Sequence, residues 1–237
     1  MEIRSVDAGH GWQWLVAGFA LFKKNPLIWI VLCTILFLIA LVLGMVPLFG
    51  QFAFYIFTPI FVAGLMQGCK TLQDGEELEI AHLFAGFHGH ATQLVTVGGI
   101  YLLGQVLILG VMMLIGGSAI LSVFMHGPES VNMEEMMRTS AGLISAGLVG
   151  LALSVPLMMA VWFAPALVTF HGMAAGMALR LSFFACWKNM AAFLVYGLII
   201  LALGVVAIMP FGLGLLVLIP VCITSLYESY RDIFQLT

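Results

Sequence analysis

The sequence predicts an all-α fold: a polytopic membrane bundle of six transmembrane helices with amphipathic helices lying in the cytoplasmic interface. Three observations carry that expectation. Only 8 Lys and Arg and 11 Asp and Glu occur among 237 residues, so charge is 8% of the chain, where a soluble domain has about 25%. Hydrophobic residues make up 63%, and the mean hydropathy is +1.16. The charges are also unevenly placed, leaving uncharged runs far longer than the roughly 20 residues of one crossing.

Those numbers exclude several functions. The chain cannot clothe itself in the mixed charged surface that keeps a globule dispersed, which removes a soluble enzyme and a disordered regulator. A net charge of -3 and a pI near 6.0 leave no basic face for nucleic acid. Cys33, Cys69, Cys186 and Cys222 form no metal-ligand spacing, and no cofactor motif is visible. The first 26 residues hold Glu2 and Asp7 and end at Lys23-Lys24-Asn25-Pro26, which does not read as a signal peptide.

The chain begins with an interfacial helix. Trp12, Leu15, Val16, Phe19 and Phe22 follow an i, i+3, i+4, i+7 rhythm towards Lys23-Lys24-Asn25, and Trp12, Trp14, Phe19 and Phe22 are expected to anchor it at headgroup depth. From Asn25 to Cys69 there is no Lys, Arg, Asp or Glu over 45 residues. That is twice one crossing, so a hairpin of spans near 27–46 and 51–69 is expected, broken at Pro47-Leu48-Phe49-Gly50.

A polar segment follows. Ile80, Leu83, Phe84 and Phe87 repeat the interfacial rhythm and lead to His88-Gly89-His90, with Phe84 and Phe87 as anchors. Glu79 and His82 have the Glu-x-x-His spacing of carboxylate-bridged metal sites. No second motif accompanies them, and an acidic run at the positive end of a helix dipole is the simpler reading. Spans are then expected at 92–115, ending at Gly116-Gly117, and at about 142–167. The piece 118–126 is too short to cross, so 117–141 reads as an interfacial or re-entrant insertion.

The last third repeats the first. Met173, Met177, Leu181 and Phe184 lead to Trp187-Lys188-Asn189, with Trp187 as an anchor. Residues 189–227 hold no Lys, Arg, Asp or Glu, and Pro210-Phe211-Gly212 divides them into spans near 190–209 and 212–228. Six spans with both termini cytoplasmic put Arg4, Lys23, Lys24, Lys70, Arg180, Lys188 and Arg231 inside and only Arg138 outside, as the positive-inside rule requires.

A single membrane domain, 1–237, therefore reads as three tandem units, 10–70, 76–170 and 171–232: an interfacial helix, an outward span and a return span. Either duplication or shared hydropathy accounts for the likeness. Each return span carries a late proline, Pro59, Pro165 or Pro220, expected to free the carbonyls of Tyr55, Val161 and Leu216. The kinks either open a cleft towards the cytoplasm or shape a packed bundle. Gly64 and Gly68, and Gly142, Ala146 and Gly150, have the small-xxx-small spacing that lets helix backbones approach, within the chain or at a homodimer seam.

Two stretches carry a resemblance: Gly11-Trp12-Gln13-Trp14 through Phe19-Ala20-Leu21-Phe22-Lys23-Lys24-Asn25-Pro26, then Gly75-Glu76-Glu77-Leu78 and His82-Leu83-Phe84-Ala85-Gly86-Phe87. With these the chain resembles a family of uncharacterised inner-membrane proteins of proteobacteria. More distantly, the layout is similar to the membrane domain that accompanies some glycerophosphodiester phosphodiesterases, whose soluble catalytic domain has no counterpart here. The resemblance implies a location in the bacterial inner membrane and a fold, and it transfers no site residue.

No Lys, Arg, Asp or Glu falls inside an expected span, which argues against ion-coupled pumping. The first functional expectation is a non-catalytic inner-membrane protein that binds or transports a lipid or other hydrophobic small molecule, with the lipid bilayer as its partner. The second is a structural or assembly partner of another membrane protein, using 71–90 and the glycine faces. A membrane-embedded enzyme is third, with Glu79, His82, His88 and His90 as its candidates.

Overall fold

The computed structural model describes residues 2–46, 49–126 and 133–234, with side chains described over 2–46, 49–117 and 140–234. Helix accounts for the regular structure of these residues. The helices are α1 (His10–Phe22), α2 (Pro26–Gly44), α3 (Phe49–Gln73), α4 (Ala91–His126), α5 (Met133–Trp162), α6 (Ala164–His171), α7 (Ala175–Lys188), α8 (Met190–Ile208) and α9 (Leu215–Phe234), with a 3₁₀ helix at Ile80–Phe87 between α3 and α4. Among the described residues, five stretches are long and apolar enough to cross a membrane: 26–44, 49–73, 91–117, 140–171 and 190–208. They fall on α2, α3, α4, α5 with α6, and α8.

The chain forms two compact units, residues 1–99 with 160–237, and residues 100–159. In the first, local chemistry sets the element boundaries. Asn25 accepts the Ile28 N–H at 3.4 Å and Pro26 opens α2, the residue pair that suits a helix start. Gly172, at φ +62°, donates its N–H to the Val168 carbonyl and ends α6 in a left-handed cap. Gly212 at φ +79° lets α8 turn back into α9, and the Gly214 N–H reaches the Ala207 carbonyl at 3.2 Å.

The packing of the first unit follows a rule. Each short segment packs against the return helix that precedes it, counted cyclically: α1 on α9, the 3₁₀ helix on α3, and α7 on α6. Small residues make these contacts. A Cβ on Gly18 would lie 2.5–2.8 Å from Ser225 of α9. Gly64 meets the carbonyls of His82 and Leu83, Gly68 faces the Leu78 side chain, and Gly86 meets the Ile60 carbonyl. On α7, the buried Ser182 accepts the Phe163 N–H at 2.9 Å, at the break between α5 and α6.

In the second unit, α4 and α5 run antiparallel. Gly104 faces Leu157, Gly150 faces Met112, and Gly116 approaches Ala146 and Gly142. Gly142, Ala146 and Gly150 are thus engaged with α4 of the same chain.

Three expectations need correction. The helix does not stop at Gly116-Gly117: α4 runs on to His126 and α5 begins at Met133, so most of 117–141 extends two helices. Without competing water, a membrane helix keeps its hydrogen bonds through glycine. The 36 residues of α4 make it about 54 Å long at 1.5 Å per residue, more than a ~30 Å hydrocarbon core spans at ordinary tilts. Second, Pro165 does not sit inside a continuous helix: the span breaks at Phe163, and Pro165 stands in the first turn of α6, where its missing N–H has no partner to lose. Third, 80–87 is 3₁₀ rather than α, so Leu83 and Gly86, three apart, share its buried side. The break at Pro47-Leu48 lies outside the described residues.

Candidate functional site

The site begins with what holds α1. Asp232, near the end of α9, accepts the Trp14 indole N–H at 2.8 Å and the Arg4 guanidinium at 2.9 Å, and pairs with His10 Nδ1 at 2.7 Å. Further along α1, Thr224 donates its hydroxyl to the Gly18 carbonyl at 2.8 Å, and Tyr196 of α8 shares a 2.7 Å hydrogen bond with Ser225. The first residues are strapped down as well. Asn189, 1% exposed, accepts the Val6 N–H at 2.8 Å and donates to the Arg4 and Ala185 carbonyls. The Lys188 ammonium donates to the Ile3 carbonyl, and the Arg4 N–H to the Ile233 carbonyl.

This clamp fixes which face of α1 turns inward. Gly11, Trp14 and Gly18 lie against α8 and α9, Leu21 is buried, and Trp12, Val16 and Phe19 face out. Between α1 and the α8–α9 hairpin runs a groove of about 570 Å³. Trp12, Leu15, Val16 and Phe19 form one wall, Leu203, Val206 and Ala207 of α8 another, and Val217, Leu218 and Val221 of α9 the third. Pro210 and Gly214 close the far end at the hairpin turn. No lining residue is charged, and the Trp12 indole is the one polar group among their side chains.

Two polar clefts lie elsewhere in the first unit. One, of about 380 Å³, is lined by Gln67, Lys70, Thr71 and Asp74 of α3 and its exit, His88 and His90 before α4, and Thr169 and Phe170 of α6. The other, of about 370 Å³, shares Lys70, Asp74 and Phe170 and adds Tyr227, Tyr230 and Arg231 of α9. Arg231 is paired with Glu228 at 3.2 Å, and the Tyr230 hydroxyl meets His171 at 2.8 Å. Burial holds the Tyr230 phenol above its usual range.

The predicted site residues divide. Pro59, Pro165 and Pro220 are all buried where a short segment packs, and none lines the groove or either of the two clefts described above. Trp12, Phe19, Phe84, Phe87 and Trp187 are exposed, whereas Trp14 and Phe22 are buried. Trp14 turns inward because Asp232 offers its indole an acceptor, so it is a core clamp rather than an interfacial anchor. Glu79 and His82 form a reciprocal cap on the 3₁₀ helix, and His82 Nε2 meets the Thr71 hydroxyl at 3.2 Å. Among the described residues, no group of three or more His, Cys, Asp or Glu could hold a metal ion.

Sequence reasoning missed Asp232, Asn189 and His10. Their only signal was a carboxylate, an amide and an imidazole next to apolar runs, with nothing to say that they meet. All four cysteines are free, and burial pushes the Cys186 thiol up to about 12.

The chain is similar to a probable inner membrane protein of Burkholderia thailandensis, 31% identical over 255 aligned positions that cover 99% of this chain and 94% of the relative. No family model and no solved structure matches. The likeness to the phosphodiesterase membrane domain gains no support from these comparisons.

Proposed function

The chain belongs to the family of that probable inner membrane protein, and on this premise we propose that it holds a lipid or other hydrophobic small molecule in the groove beside α1, without catalysing a reaction. The observation that supports this reading most is the groove's lining of twelve uncharged residues, enclosed on three sides by helices that a polar clamp keeps in place. Lipid tails are as apolar as the groove, so the hydrophobic effect gives a bound chain no advantage over bulk lipid. Retention rests on dispersion contacts and fit, which a rigid wall favours.

The same reading takes α9 as a sixth span. It returns antiparallel beside α8, since Gly214 meets Ala207 at the turn and Ser225 meets Tyr196 lower down. Its residues 215–227 carry no charge. With six spans both termini are cytoplasmic. The cyclic packing of the three short segments supports three tandem units. In the first and third, the contact falls five residues after the proline, at Gly64 after Pro59 and at Ser225 after Pro220.

Mass spectrometry of the intact protein released from mild detergent tests the proposal. A retained hydrophobic ligand of discrete mass is expected. A bare polypeptide, or a smear of bulk lipids that washes away equally, overturns it. A stoichiometric protein partner in place of a small molecule would favour a role in assembly.

A further inference from the structure

We infer that the polar cleft between Lys70 and His90 binds a zwitterionic phosphoethanolamine-type group, with the phosphate on Lys70, His88 and His90 and the ammonium on Asp74. This site is separate from the apolar groove and does not depend on the reading given to it.

Three observations converge on this chemistry. The first is the donor census. Lys70 brings an ammonium, the two histidines an N–H each when neutral, and Gln67 an amide, against one acceptor-only group, Asp74. A phosphate accepts from all of the donors, and a cationic group on the same molecule answers Asp74. The second is vacancy of function: among the described residues, the side chains of Lys70, Asp74, His88 and His90 make no hydrogen bond or ion pair. The Lys70 ammonium lies only over the Phe170 ring, 5.9 Å from its centroid, and the Thr169 hydroxyl at the cleft wall is without a partner.

The third is depth. Three candidate spans end at this cleft: 49–73 at Gln73, 91–117 at Ala91 and 140–171 at His171. A group bound there sits where a bilayer places headgroups. Positive Gly89, at φ +87°, turns the chain between the two histidines without a Cβ to strain it. The volume of about 380 Å³ is ample for such a group.

The test uses the full-length protein in detergent, with binding read by intact-protein mass spectrometry. The probes are phosphatidylethanolamine, phosphatidylglycerol and soluble phosphoethanolamine. The wild type is expected to prefer the ethanolamine lipid. Lys70→Met should weaken both lipids at least tenfold, whereas Asp74→Asn should weaken the ethanolamine lipid alone and so abolish the preference. Lys70→Arg should restore binding, which separates a lost contact from a misfolded protein. Competition by soluble phosphoethanolamine would show that the headgroup suffices; its failure to compete, with the lipid preference intact, would assign the site to membrane lipid. Equal binding of both lipids by the wild type, or a preference that survives Asp74→Asn and Lys70→Met together, overturns the inference. Loss of the apolar-groove ligand alone leaves this prediction standing, because Lys70 and Asp74 do not line that groove.

Discussion

The Trp14 indole donates to Asp232 across 218 residues of sequence, at 2.8 Å, and joins the first helix to the last. Asp232 collects two further partners, Arg4 and His10. Asp232→Ala would leave the Trp14 N–H without its acceptor in a largely buried place and leave the His10 ring only the more distant Asp7, 4.0 Å away. The expected loss is about 2–3 kcal/mol, since hydrogen bonds to charged groups are worth roughly 1.5–3 kcal/mol and the half-exposed Arg4 adds little. Thermal unfolding in detergent should show a lowered midpoint, and Trp14→Phe should reproduce part of it. Unchanged unfolding in both variants would mean that the clamp is not formed.

Gly18 and Gly197 make a controlled pair. A Cβ at Gly18 would collide with Ser225, whereas one at Gly197 meets nothing within 4 Å. Gly18→Val should destabilise by about 1–3 kcal/mol, the usual cost of overpacking. Gly197→Ala should be neutral or stabilising by about 0.5–1 kcal/mol, because glycine is the poorer helix former. The comparison fails if both changes have the same effect on the unfolding midpoint.

Cys186 should be silent to thiol reagents in the folded protein. With its thiol pushed up to about 12, only about one molecule in ten thousand is thiolate at pH 8, and burial blocks approach as well. In a variant that keeps Cys186 alone, maleimide labelling should appear only on unfolding. Labelling of the native protein at the rate of an ordinary cysteine would contradict the burial of Cys186 on α7.

Much of the fold can be read from the charges. The uncharged run 25–69 marks the α2–α3 hairpin, and 189–227 marks α8 with the apolar part of α9. What the sequence conceals is which face of each short segment meets the protein. On α7 the large residues Met177, Phe184 and Trp187 face outward, while Ala178, Ser182 and Ala185 pack inside. A soluble helix would bury the large residues. At a membrane the outside is apolar too, so large side chains face lipid and small ones allow close backbone contact. The apolar stripes were therefore visible, but their direction was not. The groove beside α1 stayed hidden for a similar reason: Trp12 and Val217 are more than 200 residues apart, and no periodicity links them.

Orientation has its own prediction. With six spans, a reporter that is active only in the cytoplasm should work when fused after Thr237, and one active only in the periplasm should not. The opposite result would place α9 on the wrong side and remove the sixth span.

The most direct test of the central claim compares groove and lipid-facing positions. Val206 and Val217 line the groove, and Leu201, on the same helix as Val206, does not. After detergent exchange, the retained hydrophobic molecule per protein should be measured by mass spectrometry for Val206→Trp, Val217→Trp and Leu201→Trp. The account predicts retention in the wild type and Leu201→Trp, and loss in the two groove variants, with all four unfolding at similar temperatures. Equal retention in all four would contradict it.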